Sequence, residues 1–481
     1  MEYVTEPAKQ VPVARDVDVV VAGSGISGLF ASLAAARHGA RVVLVDRMGM
    51  PGGNIGPGRI VGYGIGGSIL STQHERRYTG VVAEFIERLN KDLDDVPYTY
   101  STMSHGVSRV AANMFEEEGV ELVLSAYAAD PIMDGDRACG LFVESKSGRI
   151  AIKAKVVIDA TGDADTAARA GAPVRRRVTV EEISQDNVSA HPDHQHWNDG
   201  QIYFFIGEVD IKQYREFREK ETALTSEQQQ WADENLLIRW KGWPDSIIPA
   251  LKEGWDSGEF RSEYDLRPNL RVALNDWFGF STARPGIAGG RAGIFGDYDT
   301  GNWKDVSLME SAVRNIAYDG INYFRRKRIP GFENAYIISM APFFGARGGP
   351  FIDSEFVLTP RDANAGLRVP DTLYIAYLDA PPDGQRRGHD MPYRMLLPKK
   401  IDGLLVTGRG AGFLRRGHDP ATRERTNMMA LGQATGIAAA LAAAKGLTPR
   451  KLDVKELQST LIRAGYYLGD DERLAELGIG L

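Results

Sequence analysis

Short apolar runs punctuated by glycine dominate the two ends of the chain. Residues 17–22 (VDVVVA) form a valine-rich run of the kind a buried parallel strand shows. GSGISG follows, then a helical stretch that ends near His38-Gly39, then a second apolar run, RVVLVD, closing on Asp46. Two more such runs, VVIDATGD at 156–163 and GLLVTGR at 403–409, predict further strands of the same sheet. A long small-residue helix is predicted from about Asn427 to Lys445, with Gly446 as its stop. Between about 176 and 394 the pattern changes. Strand-like GQIYFFIGEVD (200–210) and RVALNDWFGF (271–280) alternate with polar helical stretches, and all seven tryptophans lie there. One helix in this span has clear periodicity through Val306, Met309, Val313, Ile316, Ala317, Ile321 and Phe324, with Ser307 and Glu310 fitting a capping box and Pro330-Gly331 a stop.

The order strand, G-x-G-x-x-G, helix, strand, acid is that of a dinucleotide-binding βαβ unit. Gly23 permits the tight turn, Gly25 lets a pyrophosphate reach the helix N-terminus, and Gly28 lets helix and strand pack closely. Asp46, eighteen residues after Gly28, suits ribose hydroxyls. PGGNIGPGRIVGYGIGG (51–67) comes next, with glycine at eight of its seventeen positions. A backbone so bare of side chains suits a long cofactor lying against it, and the apolar residues between the glycines argue against a linker. The unit with this continuation points to FAD, with Asn54 offering its amide to the ribityl or flavin edge.

These elements predict an α/β protein: a Rossmann-like FAD-binding domain with an inserted, β-rich α+β substrate domain. Residues 1–15 read as a loose arm, 16–175 and 395–481 as the FAD-binding domain, and 176–394 as the inserted substrate or cap domain. A length of 481 residues supports more than one core. A net charge of −7 gives no reason to expect nucleic acid or an acidic membrane surface as a partner, and no apolar run is long enough to span a bilayer. The one cysteine, Cys139, excludes an internal disulfide and a cysteine-ligated iron–sulfur cluster, and a cytoplasmic location is expected. His191, His194 and His196 lack a repeated ligand spacing, so no metal is expected.

The chain resembles the FAD-dependent oxidoreductase superfamily with fumarate-reductase-like and glutathione-reductase-like nucleotide domains. The resemblance rests on residues 19–54, VVIDATGDADTAARAGAPV at 156–174, IPGFENAY at 329–336, EFVLTPRD at 355–362, MPYRMLLPKKIDGLLVTGR at 391–409 and MALGQATGIAAALAAAKGLTPRKLD at 429–453. It implies that Gly23, Ser24, Gly25 and Gly28 meet the FAD pyrophosphate, and that Asp46 and Arg47 meet the adenosine. Gly53 and Asn54 would follow the ribityl and flavin. Ala160, Thr161 and Gly162 would close over the adenosine, with Asp163 near. Gly408 and Arg409 would reach the ribityl or pyrophosphate, and Leu431, Gly432 and Gln433 the pyrimidine side of the flavin. Arg415 and Arg416 stand where relatives carry His-Glu, and Ala346–Gly349 replace an Arg-Glu-Ser-Arg run.

The expected function is an FAD-dependent oxidoreductase, a dehydrogenase or reductase moving a hydride between a small, anionic or polar organic substrate and flavin N5. A flavin monooxygenase and an electron-transferring flavoprotein component are the alternatives. A homo-oligomer and the identity of the electron donor or acceptor are left open. His389 and His418, each in a Gly-His-Asp loop, are the candidate proton carriers, with a surface histidine held by its neighbouring Asp as the plainer reading. Arginines crowd residues 347–425, and Arg394 and Arg425 are the candidates to orient an anionic group.

Overall fold

The structure is a computed structural model that describes residues 2–58, 79–91, 103–176, 198–221, 257, 259, 270–272, 281–284, 286–296, 298–346, 348–377, 388–414 and 425–479. The chain opens β1 (Val13–Ala22), α1 (Ile26–Arg37), β2 (Val42–Asp46), α2 (Gly80–Lys91), α3 (Met103–Glu117), β3 (Glu121–Leu124). It continues β4 (Tyr127–Asp134), β5 (Arg137–Ser145), β6 (Gly148–Asp159), α4 (Asp165–Arg169) and β7 (Val174–Arg175). Strands β1 to β6 build one sheet in the order β3-β2-β1-β6-β5-β4, parallel from β3 to β6 and antiparallel from β6 to β4.

The alternation of a strand divides β1 between two cores. Val19 and Val21 face a core built with α1, α2 and α3, while Val20 and Ala22 face the opposite one with Val43, Val45, Leu141 and Val157.

The insert follows as β8 (Asn198–Val209), α5 (Ile211–Glu221), β9 (Leu270–Val272), β10 (Ser281–Arg284), β11 (Gly286–Gly296), α6 (Trp303–Arg326), β12 (Tyr336–Met340) and β13 (Gly345–Ala346). Its antiparallel sheet has the order β10-β11-β8-β12, with β9 on β11 and β13 on β8. The helix α6 lies against it and buries Met309, Val313, Ile316, Ile321 and Phe324. The expected capping box at Ser307 is not its start. Asn302 caps α6 by accepting from the Lys304 N–H at 3.0 Å, and the Ser307 hydroxyl donates back to the Trp303 carbonyl one turn inside. Glu310 instead accepts from the Phe344 N–H at 2.9 Å.

The return path is β14 (Phe351–Ile352), α7 (Pro360–Asn364), β15 (Thr372–Tyr377), β16 (Gly388–Pro392), β17 (Leu404–Val406), α8 (Arg425–Ala444), α9 (Val454–Arg463) and α10 (Asp471–Glu476). The insert's own core draws on residues 202–346, whereas Leu358, Leu373, Met391, Met395 and Leu397 join the core of the nucleotide domain. The insert therefore ends well before the expected 394. Strand β17 pairs with the C-terminal half of β6 in parallel, bringing the chain's two ends into one sheet. α8 is apolar and long enough to cross a membrane, but its residues are almost all buried in the core against α1. The contact is close because it is made through glycine. A Cβ on Gly432 would stand 2.2 Å from the Ser27 carbonyl oxygen, and one on Gly436 would stand 2.1 Å from that of Ala31.

Candidate active site

The turn after β1 gathers the sequence-predicted glycines. Gly23 has a left-handed φ of +98°, and a Cβ there would meet the Ala160 carbonyl oxygen at 2.6 Å. A Cβ on Gly28 would lie 1.9 Å from the Gly23 carbonyl oxygen, as close helix–strand packing requires. Gly25 is the N-cap of α1, makes no side-chain cap, and has no heavy atom within 4 Å of where its Cβ would stand. The helix N-terminus with its inward N–H groups thus faces open space, which fits a pyrophosphate. Gly52 and Gly53 both adopt positive φ, +112° and +49°, and fold the 53–55 turn back so that a Cβ on Gly53 would stand 2.7 Å from Gly25 Cα.

Asp46 is buried, and Ser24 donates to its Oδ2 through both N–H (2.5 Å) and hydroxyl (2.6 Å), while the Met48 N–H donates to Oδ1 at 2.7 Å. Its first task is to shape the turn, with remaining lone pairs for a ribose. Arg47 is exposed and lies over the ring of Phe343, 5.7 Å from its centroid. Asn54 is half-buried, 3.7 Å from where a Cβ on Gly345 would be.

Ala160, Thr161 and Gly162 form the turn after β6, organised by fully buried Asp159. That carboxylate accepts from the Thr161 N–H (3.0 Å), the Thr161 hydroxyl (2.7 Å) and the Ala167 N–H (2.9 Å). Burial pushes its pKa up, and these hydrogen bonds oppose the shift. Burial pushes Asp165 up to about 6, aided by the charges of Asp163 and Asp159 and opposed by Arg169 and Arg47. Asp159, Asp165 and Phe343 were not legible as site residues. An acid ending an apolar strand just before Thr-Gly is the signal that would have marked Asp159.

Gly408 has φ +72°, and a Cβ there would crowd Ser27 Oγ at 2.8 Å. Arg409 is committed to protein groups. Its Nε donates to the Gly162 carbonyl at 2.8 Å, its Nη1 to the carbonyls of Ala346 and Gly348, and its Nη2 pairs with Asp163. Thr300 of the insert donates to the same Asp163 oxygen at 2.8 Å.

Leu431 and Gly432 are buried between α8 and α1. Gln433 is buried too, accepting from the Val82 N–H at 3.2 Å and donating to Thr79 Oγ1 at 3.3 Å, so it serves the first turn of α2.

The catalytic candidates separate. His389 is not in a loop. It is fully buried in β16, opposite Ala376 of β15. Its neighbour Asp390 is also fully buried; burial raises its pKa, and the Val369 N–H, Arg473 and Arg368 oppose the rise. Arg394 makes a two-pronged pair with Asp371, both contacts at 3.0 Å, and lies over the Phe356 ring. Arg425 is the first residue of α8 and half-buried. His418 and the arginines at 347, 386, 387, 415, 416 and 423 lie outside the described residues, as do His191, His194 and His196. The structure thus brings together the glycine turns, Asp46, Arg47, Asn54, Asp163 and Arg409. It leaves His389, Arg394 and Gln433 in structural contacts.

Residues 18–461 match the family described as FAD-dependent oxidoreductase. Among curated proteins, thiamine thiazole synthase of Pyrobaculum islandicum is 30% identical over 157 residues, 31% of this chain and 56% of the relative. The chain spans about half the length of the curated relatives it matches. Among solved structures, a triple mutant of the flavin-dependent brominase Bmp2 is 13% identical with a TM-score of 0.41, covering 93% of this chain and 84% of the other. The myxobacterial chondrochloren halogenase CndH is 11% identical with a TM-score of 0.43, covering 94% and 79%. Those two scores are too low to bear on the reaction. The cofactor is FAD, and the open N-terminus of α1 and the glycine turns around it fit that group.

Proposed function

Because the chain belongs to the FAD-dependent oxidoreductase family, we propose that it exchanges a hydride between a small anionic organic substrate and flavin N5, where the insert meets the nucleotide domain. The observation that carries this reading is that meeting itself: Phe343 against Arg47, Gly345 beside Asn54, and Ala346 and Gly348 on Arg409. A site between packed domains excludes water and strengthens the charge effects on which such transfers depend. FAD, when bound, supplies the two-electron carrier. The chain's own residues orient the substrate and handle the proton. Arg425, at the N-terminal end of α8, is the residue proposed to hold the anionic group, helped by the helix dipole. Arg394 is not assigned to the substrate, since its guanidinium is fixed on Asp371. His418 is the proposed proton carrier. In the oxidising direction the substrate gives up a hydride and His418 takes the accompanying proton; in the reducing direction both return.

The test is anaerobic mixing of the holoenzyme with a panel of hydroxy acids, amino acids and their keto forms, following bleaching of the flavin absorbance. One class should bleach it. Arg425→Ala should slow that bleaching ten- to a hundredfold, about 1.5–3 kcal/mol, with full FAD content. Bleaching by NAD(P)H alone, with no member of the panel active, would overturn the reading in favour of a monooxygenase.

A further inference from the structure

Five separate segments form the rim of the cofactor cradle: the turn at Gly23–Gly25, the loop at Gly52–Gly58, the turn at Ala160–Asp163, the turn at Gly408–Gly410 and one segment of the insert. The last is the surprise, because it comes from the other domain. It comprises residues 343–346 and 348–349, between β12 and β14. At its start, the Phe343 ring lies under the Arg47 guanidinium, and its tip is 3.0 Å from where a Cβ on Gly58 would stand. In the middle, Gly345 lies beside Asn54, and β13 anchors Gly345 and Ala346 to Gln201 and Gly200 of β8. At its end, Arg409 takes the Ala346 and Gly348 carbonyls, while Asp163 receives Arg409 and Thr300 together. Gly349 passes so close that a Cβ would stand 2.1 Å from Asp163 Oδ1. Both members of the Arg409–Asp163 pair are 18% exposed, a setting in which charge-assisted hydrogen bonds hold firmly.

From this we infer that residues 343–346 and 348–349 of the insert are a strap across the cofactor cradle, and that Arg409 with Asp163 is its clasp. The guanidinium does not hold the pyrophosphate; it holds the strap. Four of its N–H directions end on Gly162, Ala346, Gly348 and Asp163. The cradle's glycines lie on the nucleotide domain and the strap on the insert, so FAD leaves by the strap letting go. Phe343, Thr300 and Asp163 thereby become positioning residues for the cofactor. The clasp is distinct from the substrate chemistry: it rests on FAD as cofactor and not on the direction or substrate of the reaction.

The experiment follows FAD release from the purified holoenzyme after dilution, by the rise in free-flavin fluorescence, with hydrogen exchange of the strap amides measured on the same samples. Arg409→Lys and Asp163→Asn should each speed release by about tenfold or more, with faster exchange at 343–349 and unchanged exchange in β1 and β2. Phe343→Ala, which leaves the ion pair intact, should speed release by a smaller factor in the same direction. If Arg409→Lys alone speeds release while Asp163→Asn and Phe343→Ala release FAD at the parental rate, Arg409 is a direct ligand and the strap is wrong. The idea also fails if strap amides exchange faster in all three while release stays within about twofold. Should either clasp variant not fold, Thr300→Val loosens the same carboxylate from the insert side and is read by the same outcomes.

Discussion

Ser24 gives both its backbone N–H and its hydroxyl to a single oxygen of Asp46, at 2.5 and 2.6 Å. This ties the phosphate-binding turn to the end of the second strand. The acid expected to greet a ribose is thus first a brace for the turn that greets the pyrophosphate. Asp46→Ala leaves the Ser24 and Met48 N–H groups without that acceptor in a buried place, costing about 1–3 kcal/mol of stability. It should lower the melting temperature of the protein even after FAD has been stripped. Ser24→Ala keeps the backbone bond and should cost less. An apo protein indifferent to Asp46→Ala would mean the carboxylate acts on ribose alone.

Two glycines with positive φ should respond differently. Gly53 (φ +49°) has Gly25 Cα 2.7 Å from its missing Cβ, while Gly39 (φ +84°) has nothing within 4 Å. The clash at Gly53 is with the N-cap of α1 itself, before any cofactor is considered. Gly53→Ala should displace that helix end and strip the protein of flavin. Gly39→Ala should cost roughly 1 kcal/mol of backbone strain and keep full FAD. The ratio of flavin to protein after gel filtration reads the difference, and equal ratios would mean that the turn tolerates bulk.

The features most readable in the chain were those whose cause is local. The βαβ unit announces itself because its strands, glycines and acid follow one another within residues 17–46, and Gly28 packs on Gly23 only five residues before it. The last helix was legible from its small residues and Gly446, whose φ is +65°. Roles set by distant partners were not legible. Gln433 reads as a flavin contact by position, yet its partners Val82 and Thr79 lie some 350 residues earlier. Arg394 reads as a free cation until Asp371 is found beside it. The tryptophans marked a change of composition; Trp303, the one among the described residues, is 74% exposed, and the insert's described core includes Phe204, Tyr323, Phe324 and Phe332. Ser307 looked like a cap because the asparagine that does cap lies five residues before it.

Gln433 offers a test of that lesson. It touches the first turn of α2 from a helix packed on α1, and Gly80 stands there with φ +55° and its Cβ direction 3.0 Å from Gln433 Oε1. The Val82 N–H is shared between Gln433 Oε1 and the Thr79 carbonyl, each at 3.2 Å, so Gln433→Leu removes one of its two acceptors and the bond to Thr79 Oγ1. The expected result is a loss of about 0.5–1.5 kcal/mol in denaturant unfolding, with an unaltered flavin absorbance spectrum in the folded fraction. A shifted spectrum with unchanged stability would return Gln433 to the flavin.

Asp165 should make the stability of the protein depend on pH. Its carboxyl is raised from 3.8 to about 6, by burial first and then by the neighbouring charges of Asp163 and Asp159. A carboxyl raised on folding keeps its proton longer in the folded chain than in the unfolded one. Between about pH 4 and pH 6 the folded state therefore binds more protons, and stability falls as pH rises through that window. The penalty is complete above the folded pKa and has a ceiling of about 3 kcal/mol, which relaxation and water reduce. Asp165→Asn removes the ionisation at the cost of a favourable charge in the first turn of α4, worth about 0.3–1 kcal/mol. The variant should be more stable than the parent near pH 8 by about 1–2 kcal/mol. That advantage should vanish or reverse below about pH 3.5, where the parent's carboxyl is mostly protonated in both states. Melting temperatures of the two proteins across that range decide it: a difference that does not change with pH would show that Asp165 titrates as an ordinary surface acid.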